Sequence, residues 1–154
     1  MTPEELQGII LGLDSELSLR EASSVLMIKV PASSLMKIMV SLKEDPRFAF
    51  DQLQYHTALD WPAEDRIECL YHFCSTQFHH ELMISVSLPR TNPVLPSVSH
   101  LWPIAEWQER EVYDMFGVIY ENHPDLRRIL LDDDWKGFPL RKDYKDEFML
   151  ERPW

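Results

Sequence analysis

Glycine is scarce in this chain, four in 154 residues. Phosphate cradles and dinucleotide-binding turns need several glycines in a short run, so no phosphate-binding loop or Rossmann-type fingerprint can be drawn. Cysteine is scarcer, with only Cys69 and Cys74. Two thiols are too few for a four-thiolate iron–sulfur cluster, and no C-x-x-C or G-x-S-x-G motif occurs. If 66–74 is a strand, their offset of five puts them on opposite faces, where they neither bond nor share a metal. Two ordinary thiols in a reducing compartment are expected. Basic residues are in deficit, 15 against 26 acidic, for a net charge of −11. That balance argues against a nucleic-acid partner, which needs basic patches. No stretch reaches the ~18 consecutive apolar residues of a membrane span. The N-terminus, MTPEELQGII, opens acidic and lacks the basic region of a signal peptide. A cytoplasmic-type protein is expected.

What is present suits one globular domain, with apolar residues making up 45% of the chain. Leu6, Ile9, Ile10 and Leu13 recur at helical spacing behind Pro3, which predicts a helix over 3–13. Residues 24–30 read as a mostly buried strand that Pro31 ends. Leu35, Ile38, Met39 and Leu42 predict a second helix to Lys43, closed by Asp45-Pro46. Alternation of period two predicts strands at 53–59, 66–74 and 81–88, with one buried face and one more polar. Turn residues at 60–65 and 75–80 make them hairpins. The expected fold is α+β: helices on one face of a mostly antiparallel four-stranded sheet, a small two-layer sandwich. After the connector 91–99, a further helix is predicted over 103–116, with Gly117 as the left-handed residue beyond its end.

The expected division is a domain over 1–117 and a tail over 118–154. The tail keeps no period for long, yet it holds Leu126, Leu130, Trp135, Phe138, Leu140, Phe148 and Trp154. A long irregular segment so rich in large apolar groups is unusual in a compact domain. It is expected to lie against a surface outside its own domain.

The most charged stretch is EWQEREVYDMFG, residues 106–117. At 100° per residue, Ile104, Ala105, Val112, Met115 and Phe116 share an arc broken only by Gln108. Glu106, Arg110 and Asp114 fall opposite as an acid–base–acid ladder, with Glu109 and Glu111 flanking the apolar arc. An arginine between two acids favours ionised, paired carboxylates over the raised pKa of a general acid. A structural or interfacial ion network is therefore the favoured reading, beside a solvated face and a catalytic cluster. His79-His80 point to opposite faces if extended and read as turn residues rather than metal ligands. Asp132-Asp133-Asp134 lack a calcium loop's glycine and read as a solvated turn. The arginines of LRRIL (126–130) and PLRKDY (139–144) suit carboxylates, either across an interface or on the chain's own surface.

One resemblance joins these pieces. Glu109-Arg110-Glu111, two residues, Asp114-Met115-Phe116, six residues, His123, three residues, Arg127, one residue, Ile129-Leu130 resembles the signature of the 30-kilodalton subunit of respiratory complex I. That family supplies the C subunit of bacterial NADH–quinone oxidoreductase and the J subunit of the chloroplast enzyme. The likeness is dense over 96–144, through PSVSHLWPIAEW and DDWKGFPLRKDY. Upstream it rests on element order and on positions such as YHTALDWP (55–62). It implies a non-catalytic scaffold in the peripheral arm of a proton-pumping NADH:quinone oxidoreductase, without flavin, cluster or metal of its own. Those cofactors are expected in partner subunits. The implied partners are a 49-kilodalton subunit related to the nickel–iron hydrogenase large subunit and neighbouring iron–sulfur subunits. The implied location is peripheral, on the cytoplasmic side of the membrane. Membrane-bound nickel–iron hydrogenases and ferredoxin-fed oxidoreductases use a similar subunit. Glu109, Arg110, Glu111, Asp114, His123, Arg127, Arg128, Arg141, Lys142 and Asp143 become candidate interface residues. Two positions depart from the family: Asn122-His123 where Gly-His is frequent, and Phe138 where a histidine is frequent.

Overall fold

The structure, a computed structural model, describes residues 3–20 and 25–149. Ser24, the expected start of the first strand, and the tail end from 150 to Trp154 lie outside the described residues. In chain order the elements are α1 (Pro3–Leu11), β1 (Ser18–Leu19), β2 (Leu26–Lys29), α2 (Leu35–Glu44), β3 (Gln52–Trp61), β4 (Arg66–Cys74), β5 (Glu81–Pro89), β6 (Val94–Pro96), α3 (Ala105–Phe116) and β7 (Ile119–Glu121). Five strands form the main sheet in the order β1-β2-β5-β4-β3. The α+β class is as expected, with one strand more than the four anticipated. The addition, β1, is only two residues long, too short to leave a periodic signal. The pairings β3–β4, β4–β5 and β1–β2 are antiparallel, whereas β2 meets β5 in parallel. A second, two-stranded sheet pairs β6 with β7 in parallel.

Helical periodicity packs α1 and α2 into the core. Leu6 and Ile10 of α1 are buried, as are Leu35, Ile38, Met39 and Leu42 of α2. Ile67, Cys69, Tyr71 and Phe73 of β4, with Leu82, Ile84, Val86 and Leu88 of β5, supply the sheet's side of that core. Each large apolar side chain among them contributes about 1.5–3 kcal/mol on burial. Burial raises the Cys69 thiol to about 12, so it stays protonated. Cys74 is partly exposed, and both cysteines are free. Among the described residues no helix is long and apolar enough to cross a membrane.

Strand β3 departs from simple alternation, and the departure positions the site. Leu53 pairs with Phe73, but Tyr55 pairs with His72, so Gln54 is an extra residue in a bulge. One inserted residue reverses the faces of everything after it. Leu53 is therefore followed inward by His56, Ala58 and Asp60, while Tyr55 and Leu59 face solvent. His56 is held neutral, its pKa lowered to about 4 by burial, with Nδ1–H donating to the Leu70 carbonyl and Nε2 accepting from the Tyr120 hydroxyl. Asp60 is carried to the same side, where the chain's last described segment passes.

Candidate partner-facing clasp

The sequence predicts that the chain leaves its domain after residue 117. Residues of that segment between 123 and 141 are instead hydrogen-bonded to α3. The cause is three sets of polar contacts along that helix.

In the second half of the helix, Asp114 is fully buried. Its Oδ2 accepts the backbone N–H groups of Ile129, Leu130 and Leu131 at 3.1, 2.7 and 3.0 Å. Its Oδ1 accepts Arg128 Nη1–H at 2.7 Å. Arg128 also donates to the carbonyls of Asp114, Trp135 and Gly137 at 3.0, 2.9 and 3.0 Å. Arg110 donates to the carbonyls of Arg127 and Arg128 at 3.2 and 3.0 Å. The ladder expected between Glu106, Arg110 and Asp114 does not form. Arg110 and Asp114 are buried beneath 126–131 and satisfy that segment's backbone rather than each other. Helical spacing places them on one stripe correctly; it cannot reveal that irregular chain covers the stripe. Desolvation pushes the Asp114 carboxyl up, but Arg128 and the three amides outweigh it, leaving the group below its ordinary 3.8.

In the first half, Glu109 is fully buried rather than merely flanking the apolar arc. It accepts Ser97 Oγ–H at 2.6 Å and the Val98 N–H at 2.8 Å, tying the β6 connector to α3. Burial raises its carboxyl to about 7, the two donors opposing that shift only in part. His123 stands 3.8 Å from it. The Asp125 amide donates to His123 Nδ1 at 3.0 Å, so the proton sits on Nε2 and is donated to the Glu106 carbonyl at 3.0 Å. His123 thus ties the 122–125 turn to the helix. Ile104, expected on the apolar arc, precedes the helix and is exposed.

At the far end, Gly117 takes a left-handed φ of 77° and its N–H closes on the Tyr113 carbonyl at 2.8 Å. A Cβ there would sit 2.5 Å from the Phe138 ring, so the position requires glycine for its φ and for its space. Phe138 lies under two guanidiniums, Arg128 at 5.4 Å and Arg141 at 5.2 Å. Arg141 donates to the carbonyls of Phe116 and Arg90 at 2.6 and 3.2 Å. Asp60 receives Arg90 through two bonds, 2.7 and 3.0 Å, and the Lys142 N–H at 2.8 Å. Arg90 reaches on to Asp143 at 2.8 Å. The Lys142 ammonium lies 5.6 Å from the Trp61 ring.

Of the ten candidate residues, Glu109, Arg110, Asp114, His123, Arg128, Arg141, Lys142 and Asp143 are therefore brought into one clasp. Arg127 is exposed and its side chain pairs with Asp125, at 2.9 Å. Glu111 is exposed and makes no ion pair among the described residues. Sequence reasoning missed Asp60, Arg90, Ser97 and Phe138. Asp60 lies inside the YHTALDWP stretch, Ser97 inside PSVSHLWPIAEW and Phe138 at a departure from the family, so a signal existed for each; Arg90 gave none.

Chemically, the clasp fixes backbone. Asp114 and Asp60 are ionised and saturated with donors. Glu109 is the carboxylate in the acid–base range, but it is sealed from solvent and already bonded on both oxygens. General acid–base catalysis needs such a group within reach of a substrate proton. Among the described residues no cluster of three or more metal-ligating side chains occurs.

The chain is similar to known proteins in sequence and in fold. A family model described as "Respiratory-chain NADH dehydrogenase, 30 Kd subunit" matches residues 28–147. The C subunit of NADH-quinone oxidoreductase from Moorella thermoacetica is 45% identical over 142 residues, covering 92% of each chain. The same-named protein of Chloroherpeton thalassium is 44% identical over 105 residues, 68% of this chain and 43% of that one. Among solved structures, a trypsin-resistant fragment (1-134) of Nqo5 superposes with a TM-score of 0.71 at 26% identity, over 82% of this chain and all of that one. A chain of the membrane-bound sulfane sulfur reductase, an archaeal respiratory membrane complex, superposes at 0.76 with 28% identity, over 92% of this chain and 85% of that one.

Proposed function

Because the chain belongs to the family of the 30-kilodalton subunit of respiratory-chain NADH dehydrogenase, we propose that it is a non-catalytic structural subunit of a proton-pumping NADH:quinone oxidoreductase, complex I. It sits in the peripheral arm on the cytoplasmic side, attached to the membrane through the rest of the complex. Its partners are a 49-kilodalton-like subunit that holds the quinone site and neighbouring iron–sulfur subunits; flavin and clusters reside in partner subunits. Its work is to brace the quinone-site subunit so that electrons cross fixed distances.

The observation that carries this reading is the use made of the signature charges. Glu109, Arg110, Asp114, Arg128 and Arg141 all hold backbone in place. A catalytic site would leave at least one of them facing a substrate cavity. The test is to delete the chain and measure how much of the 49-kilodalton-like subunit stays with the membrane complex. Loss of that subunit is expected; full retention with normal quinone reduction would overturn the bracing role.

A second reading has its own support, the likeness to a subunit of an archaeal membrane complex that is not named for NADH. The chain then serves in a ferredoxin-linked oxidoreductase or a membrane-bound nickel–iron hydrogenase. Supplying the purified complex with NADH or with reduced ferredoxin separates the two.

A further inference from the structure

We infer that Tyr120 and His56 are a redox-active pair: facing a one-electron oxidant, such as an oxygen-centred radical, Tyr120 gives up one electron and hands its phenolic proton to His56. The inference stands apart from the subunit reading, since it needs only the core of this chain. A phenol loses an electron easily when its proton can leave at the same time. Its hydroxyl must therefore meet a base with a free lone pair. His56 Nδ1–H is spent on the Leu70 carbonyl at 2.9 Å, which fixes the tautomer and leaves Nε2 to accept from the Tyr120 hydroxyl. In the step, the oxidant is reduced by one electron, the Tyr120 O–H bond breaks and an N–H bond forms at His56 Nε2. A neutral phenoxyl radical and an imidazolium remain. Burial disfavours the imidazolium, but an oxidised phenol is a far stronger acid, and the bond to Leu70 supports the charged ring. An electron returned by a thiol reductant sends the proton back to the phenol.

The other tyrosines each lack a part. The Tyr71 hydroxyl is buried without a hydrogen-bond partner. The Tyr55 hydroxyl meets the Met83 thioether at 3.8 Å, which is no base. Tyr144 has a base, Asp146 at 3.0 Å, but it is partly exposed, as is Tyr113. Tyr120 is 2% exposed, so its radical is kept from solvent and from coupling to a second chain. A row of rings links it to the surface. The His56 ring lies edge-on to Tyr120 at 5.6 Å and stacks on Tyr71 at 4.0 Å; Phe73 follows at 6.2 Å and Trp102 at 4.7 Å. Trp102 lines a surface cleft with Leu53, Pro103 and Ile104. An oxidising equivalent received by the indole at that cleft passes inward and settles where proton loss stabilises it.

The test oxidises the full chain with flash-generated tris(bipyridine)ruthenium(III), freezes it, and reads the trapped radical by pulsed electron paramagnetic resonance. The expected signal is a tyrosyl radical with a nitrogen coupling from the imidazole and an exchangeable proton between the two rings. Among the described residues, Tyr120 is the tyrosine whose hydroxyl bonds an imidazole, so this readout assigns the radical without any substitution. Tyr120→Phe is expected to abolish the signal. Tyr71→Phe removes a hydroxyl that has no partner and is expected to keep it. His56→Phe keeps the phenol and removes its base, so formation of the Tyr120 radical should slow about a hundredfold. A radical without the nitrogen coupling, no tyrosyl radical at all, or the same signal in Tyr120→Phe would overturn the pair. Where a variant does not fold, the nitrogen coupling of the unaltered chain still decides.

Discussion

Replacing Asp114 by asparagine removes one charge and almost no volume, at the point where tail and helix are joined. The carboxylate accepts one guanidinium bond and three amide bonds. Asparagine keeps a single acceptor oxygen and turns an NH2 group toward donors. Hydrogen bonds to charged groups contribute roughly 1.5–3 kcal/mol each, and a broken buried ion pair costs about 3–5 kcal/mol. The full sum is not reached, because residues 126–131 can lift away and rehydrate their amides. About 3 kcal/mol is the expected net loss, which for a chain of this size lowers Tm by roughly 6–12 °C. Amides of Ile129, Leu130 and Leu131 should exchange with solvent about a hundredfold faster, and trypsin should cut first beside Arg127 and Arg128. Hydrogen exchange with peptide resolution reads the first effect, and limited digestion the second. A Tm within about 2 °C and unchanged exchange at those three amides would refute the view that Asp114 holds the tail.

Other perturbations test neighbouring links. Arg110→Ala leaves the carbonyls of residues 127 and 128 without this donor and should cost about 1–3 kcal/mol, read by denaturant unfolding; a loss under ~0.5 would place Arg110 outside the clasp. Gly117→Ala combines a left-handed φ with a clash against Phe138, so a loss of at least about 1–2 kcal/mol is expected, together with weaker protection around Arg141. Glu109 has a folded pKa of about 7 against an ordinary 4.5. A raised acid favours the protonated fold, so its contribution is complete below about 4.5 and is lost as pH rises through 7. Glu109 faces Ser97, the Val98 amide and His123, with Tyr71 and Tyr120 close enough to feel its charge. Glu109→Gln should therefore raise Tm at pH 8 and change it little at pH 5; equal losses at both would contradict the assignment. Asp60 and Asp114 run the opposite way: their carboxyls lie below 3.8, so their support is present above that pH and fades as pH falls further.

The periodic elements were legible because a helix or strand writes its buried face at fixed spacing. Leu35, Ile38, Met39 and Leu42 placed α2, and Ile67 to Phe73 placed β4. The Gln54 bulge was not legible, since an inserted residue leaves both alternations plausible and only cross-strand register decides between them. The charged signature was legible as a constellation but not as a set of bonds. Asp114 and Arg110 read as partners because local spacing sees one helix. Their true acceptors and donors lie 14 to 18 residues away in irregular chain. Asp60 was further still, 82 residues from the Lys142 amide it receives. The tail's apolar content was a sound clue to a surface. Part of that surface is the chain's own helix, and Phe138 illustrates it by filling the space beside Gly117.

The central claim is that the signature charges hold structure rather than perform chemistry. The direct measurement is quinone reduction per assembled complex, with Asp114→Asn in place of the unaltered chain, beside the amount of complex recovered. The account predicts that less complex assembles and that each assembled complex turns over at the normal rate. Full assembly with turnover lost would contradict it.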